Sequence, residues 1–66
     1  MPNNTRGWAR RKIDMSKGNL ETGIIHLLEV LQIYMEPHPE IATPIDEVMT
    51  VMQTLQETLD HIKELI

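Results

Sequence analysis

Apolar residues in the middle of the chain recur at Leu20, Ile24, Leu27, Leu31 and Tyr34. This alternation of four- and three-residue steps puts one apolar side chain per turn on a common face and predicts a helix over residues 19–36. Asn19 suits an N-cap, and Glu21 falls in the first turn, where a negative charge complements the helix dipole. Ile25, Leu28, Val30, Ile33 and Met35 lie off that line. A helix apolar over most of its circumference has to be covered on more than one side. Gly23 costs about 1 kcal/mol relative to Ala inside a helix, a cost that close approach of a neighbouring helix would explain.

Pro37 and Pro39 end this helix, because each lacks a backbone donor and pushes the preceding residue out of the helical region. Residues 37–43 are therefore expected to form a short, stiff loop, with His38 a loop residue. A second helix is expected over residues 44–65. Thr43 reads as its N-cap, Pro44 as its first residue and Asp46 as the acidic member of a capping box. Ile45, Val48, Met52, Leu55, Leu59, Ile62 and Ile66 then keep three- and four-residue spacing, with Asp46, Glu47, Thr50, Gln53, Thr54, Glu57, Asp60 and Glu64 outside. A sustained 3.5-residue repeat with a polar back is the pattern of bundle packing. On this reading the second helix is one-sided, and Met49 and Met52 give a deformable patch near its start.

The short loop favours an antiparallel hairpin. One neighbour cannot cover the first helix, so two hairpins are expected to pair as a homodimeric four-helix bundle with the first helices inside. The interface residues of that reading are Ile24, Ile25, Leu28, Leu31, Ile33, Met35, Met49 and Met52. A different protein supplying the missing surface is the competing solution.

Composition narrows the class. With 66 residues there is one small all-α domain at most. Cysteine is absent, which removes disulfide staples and the paired-cysteine patterns of zinc folds. Aromatic residues make up 3% and Phe is missing, so the core must be aliphatic and Met-based.

Charge divides the chain. Residues 1–17 carry five basic side chains and one acid, a net +4; residues 18–66 carry nine acids and one base, a net −8. Residues 1–18 read as a basic arm, and a tail of opposite charge is a sign of contact with something acidic. Its candidate binding residues, for a partner protein or nucleic acid, are Arg6, Trp8, Arg10, Arg11 and Lys12. Arginine grips phosphate or carboxylate in bidentate fashion, and an indole offers a stacking plate for an unpaired base. The alternative is an arm lying back on its own acidic helices, with Trp8, Ile13 and Met15 packed. Neither predicted helix is basic enough to read a DNA groove.

Candidate chemistry is sparse. Ser16 is the one serine and has no histidine near it in sequence. Gly7, Gly18 and Gly23 do not make a phosphate loop. His26 with Glu29, and Glu57 with His61 and Glu64, have helical spacing for metal ligation, but their carboxylates fall on outer positions, so they read as surface residues. No enzyme activity, cofactor, metal or small-molecule substrate is expected. No apolar stretch follows the basic start and none is long enough to span a bilayer, so a cytoplasmic chain without membrane contact is expected. The functional expectation is a small adaptor, regulator or assembly factor that binds another protein through its helices and arm. The alternative is a nucleic-acid-binding regulator whose acidic bundle dimerises the arms.

Overall fold

The computed structural model describes residues 5–34 and 38–66. It is all-helical: α1 runs over Thr5–Tyr34 and α2 over Pro39–Leu65, packed antiparallel as a hairpin about 54 Å long. Three contacts set the register. Asp14 pairs with Lys63, Lys17 with Asp60 and Glu21 with Gln56, and the two residue numbers of each pair add to 77. Ile66 therefore stands near the level of Arg11, and residues 5–8 project past the end of α2.

Both helices start earlier than their capping signals suggest. α1 passes straight through Asn19, so the segment expected as an arm forms, from Thr5 on, the first half of a 30-residue helix. Ala, Arg, Lys and Met are good helix formers, and the penalty of Gly18 is too small to break the run. Ala9, Ile13 and Lys17 also extend the inward line of Leu20 and Ile24, and all three are half-buried. α2 starts at Pro39, a residue preorganised for a first turn, rather than after Thr43. His38 precedes it with non-helical backbone and no side-chain cap; its carbonyl accepts from the amides of Ile41 (2.9 Å) and Ala42 (3.0 Å). Pro44 sits inside α2, close enough to the start that the chain continues past it. Most of the expected loop is thus helical, while Pro37 lies outside the described residues.

The seam between the helices differs from the expected one by one position at alternate turns. On α1 it is the expected line of Leu20, Ile24, Leu27, Leu31 and Tyr34. On α2 the inward residues are Ile45, Met49, Met52, Gln56, Leu59, Lys63 and Ile66. Met49, Gln56 and Lys63 take the places expected for Val48, Leu55 and Ile62, which are exposed. The cause lies on α1. It offers Asp14, Glu21 and the Lys17 carbonyl to the seam, and these accept hydrogen bonds from Lys63 and Gln56. Lys63 reaches Asp14 at 2.8 Å, and Gln56 reaches Glu21 at 3.1 Å. Only Ile24 and Met49 are buried among the described residues.

Thr50, Thr54 and Thr58 each donate to the carbonyl four residues back, at 3.0–3.1 Å, so these hydroxyls are satisfied within α2. Gly23 faces Met52 of α2 at close range. A Cβ there would lie 2.6 Å from the Met52 ε-methyl, the mobile end of a flexible side chain.

Candidate interaction surfaces

The one-position shift turns α2 into a three-faced helix. One face is the seam. A second carries Asp46, Thr50, Gln53, Glu57, Asp60 and Glu64, all exposed, and supplies Asp60 to the edge where the ion pairs form. The third carries Val48, Val51, Leu55, Thr58, Ile62 and Leu65, again at three- and four-residue steps, and every one is exposed. Leu55 keeps 46% of its surface and Val51 57%, so nothing in the hairpin covers this stripe. In the heptad register it lies on the edge opposite the Lys17–Asp60 and Asp14–Lys63 pairs, beside the α1 positions Gly23 and Val30. Isolated exposed apolar residues are ordinary, but here they recur along one face of the helix for five turns.

The residues expected at an interface separate into two groups. Ile24 and Met49 are buried and Leu31 and Met52 half-buried, all within the hairpin itself. Ile25, Leu28 and Ile33 are exposed on α1. Met35 lies outside the described residues. Val51 and Leu65 were not expected at any surface. Their spacing with Val48, Leu55 and Ile62 was the available signal, hidden because those three also fit a seam.

The basic residues form the open end of the hairpin. Arg6, Trp8, Arg10, Arg11 and Lys12 are all exposed on the first turns of α1. The Lys12 ammonium sits 5.8 Å from the Trp8 ring centroid, within cation–π range. Trp8 retains 47% of its surface and Met15 59%, so neither packs on α2, while Ile13 does so in part. Arg10 lines a shallow, open notch with Asp60, Lys63 and Glu64. No ion pair engages Arg6, Arg10 or Arg11 among the described residues. Lys17 and Asp14 are engaged. The hydrogen bond to Asp60 raises the Lys17 pKa above its ordinary value, and that from Lys63 lowers the Asp14 pKa below its own.

At the loop end, the His38 ring nitrogen meets Glu40 at 3.1 Å and the Tyr34 ring lies tilted against it at 5.6 Å. His26, Glu29, Glu57, His61 and Glu64 are exposed, and no three potential ligands come together among the described residues. No described helix is long and apolar enough to cross a membrane. No family model matches the chain, and no curated protein or solved structure matches it.

Proposed function

We propose that this chain is a small interaction protein, an adaptor, regulator or assembly factor without chemistry of its own, that works by docking helical surfaces. The observation that carries the reading is the stripe of Val48, Val51, Leu55, Ile62 and Leu65, interrupted only by Thr58 and exposed on a hairpin that buries only Ile24 and Met49 among the described residues. A chain this short with so small an interior gains stability by association. The reading includes self-association into a four-helix bundle, with a further protein bound through the faces left over. Site-specific photo-crosslinking in cells of the source organism tests it. A crosslinker at Val51 should yield discrete adducts, whereas one at Glu57 on the acidic face should not. Equal smears or no adducts from both positions would defeat the proposal.

A second reading rests on the open end, where Arg10 and Arg11 have no ion-pair partner among the described residues and Trp8 is exposed. There the chain would contact nucleic-acid phosphates through its Arg-rich helix. Titration with RNA and duplex DNA at two salt concentrations decides it. Phosphate-driven binding must weaken steeply with salt, and replacing Arg10 and Arg11 with Ala must flatten the slope. Absence of binding at low salt ends that reading.

A further inference from the structure

The stripe and the charge distribution of the hairpin specify the same occupant. In heptad geometry the stripe on α2 is centred about 100° around the helix from the seam. That is close to the right angle at which a helix of a four-helix bundle meets its two neighbours. α1 fills one neighbouring place. The other is empty, and the surface offered there is long, straight and apolar.

Charge sets the direction of what fills it. The open half of the hairpin, residues 5–20 and 58–66, carries Arg6, Arg10, Arg11, Lys12, Lys17 and Lys63 against Asp14, Asp60 and Glu64, a net +3. The described loop half, residues 21–34 and 38–57, carries Glu21, Glu29, Glu40, Asp46, Glu47 and Glu57 with no Lys or Arg, a net −6. The hairpin is therefore polarised along its long axis. Two copies side by side in parallel would set like charge on like charge at both ends. Turned end for end, each basic end lies along an acidic end of the other.

We infer that the stripe is covered by a second copy of this chain, packed α2 against α2 and antiparallel, with the two-fold axis near residues 56–57. This names the partner of the surface proposed above and rests on that reading. In this arrangement Val48 lies level with Leu65 of the second copy, Val51 with Ile62, and Leu55 with Thr58. The same two-fold passes α1 near residues 20–21, which brings exposed Trp8 level with exposed Ile33 of the second copy. It revises the bundle expected from the sequence: the second helices meet at the centre of the apolar contact, and α1 joins through its Gly23 edge. Ile25 and Leu28, on the opposite edge, are left outside. The patch is closed and isologous, so it makes a dimer and not a filament.

Sedimentation equilibrium on the full chain at low and high salt, with two variants and two spin labels, tests this. The chain should be a dimer that weakens as salt rises, because the end-to-end charge match is screened. Leu55→Glu should raise the dimer Kd by roughly 100-fold or more, since a carboxylate would be buried without a partner. Leu55 is exposed in the single hairpin, so helicity should survive; Gln53→Ala on the acidic face should leave association unchanged. Nitroxides on Thr54→Cys, beside the axis, should lie within about 25 Å of each other. On Thr43→Cys they should be about 40 Å apart, from the rise per residue. These label distances remain decisive if Leu55→Glu fails to fold. Short distances at both positions mean a parallel dimer and overturn the inference. So does a dimer broken by Leu28→Glu but indifferent to Leu55→Glu. A folded monomer at roughly 100 µM, well above a useful dimer Kd, also overturns it; persistence of Val51 adducts to a different protein would then leave the broader reading standing.

Discussion

The two ends of this hairpin are held together by different physics. In the loop half, Ile24, Leu27, Leu31 and Tyr34 face Ile41, Ala42, Ile45, Met49 and Met52, and the two buried side chains among the described residues, Ile24 and Met49, lie here. In the open half, Ile13, Leu20, Leu59 and Ile66 share the seam with Lys17 and Lys63, Gln56 lies at the boundary between the halves, and ion pairs to Asp60 and Asp14 close the edge. Apolar contact supplies adhesion with little directional preference, whereas each polar seam residue needs its partner at one level and on one edge. The loop half thus supplies most of the stability, and the open half sets the register. That division explains why α2 turns Gln56 and Lys63 inward and leaves Leu55 and Ile62 outside.

The strongest challenge to this contrast is a pair of truncations. Ile24→Ala in the loop half should cost roughly 2–5 kcal/mol in denaturant unfolding, as for other buried aliphatic residues. Ile13→Ala, half-buried in the open half, should cost clearly less; equal losses would abolish the distinction. A smaller effect is expected at the close approach in between. Gly23→Ala should raise stability by up to about 1 kcal/mol through helix propensity, because only the mobile end of Met52 has to swing away. Gly23→Leu should instead lower it by prising the helices apart, and thermal unfolding of both variants reads the sign.

The smallest effect is a pH dependence confined to the open half. Asp14 has a depressed folded-state pKa, so its contribution is present above the unfolded value of 3.8 and is lost as pH falls through the lower folded value. Lys17 has a raised one, so its contribution is complete below 10.5 and is lost as pH climbs through the folded value. Asp14 is exposed and Lys17 only half-buried, and screening by solvent keeps each contribution modest. Unfolding curves should therefore be flat from about pH 5 to pH 9 as far as these two groups are concerned, and Asp14→Asn should remove the fall in acid due to Asp14. Amide exchange that accelerates first in residues 5–20 at pH extremes would sharpen the division between halves; uniform acceleration would argue against it.

Much of this was legible beforehand, and the misreadings have a common origin. The α1 seam through Leu20, Ile24, Leu27, Leu31 and Tyr34 was predicted residue for residue, because apolar periodicity reports a buried face directly. On α2 two overlapping repeats exist, Val48–Leu55–Ile62 and Met49–Gln56–Lys63, each compatible with Ile45, Met52, Leu59 and Ile66. Hydrophobicity prefers the first and the fold uses the second. The polar residues of the second find partners in α1, and no pattern within α2 alone contains that information. The helix starts were misjudged for a related reason. Asn19 and Thr43 are good caps in isolation, but capping is worth only about 1 kcal/mol, less than continuing two helices along a shared seam. The residues expected to bind through the open end, Arg6, Trp8, Arg10, Arg11 and Lys12, are indeed exposed together, and helix rather than loose chain presents them.

Sequence alone thus determined the class of the molecule: two helices, a proline-marked reversal, no staple, and charge segregated along the chain. Those properties follow from local propensity, periodicity and composition, which each residue carries with it. Tertiary structure decided which of two overlapping stripes on α2 turns inward, and with that choice which apolar face is left exposed. The choice depends on pairs far apart in sequence, Asp14 with Lys63 and Glu21 with Gln56, whose partners meet only once the chain has folded back on itself.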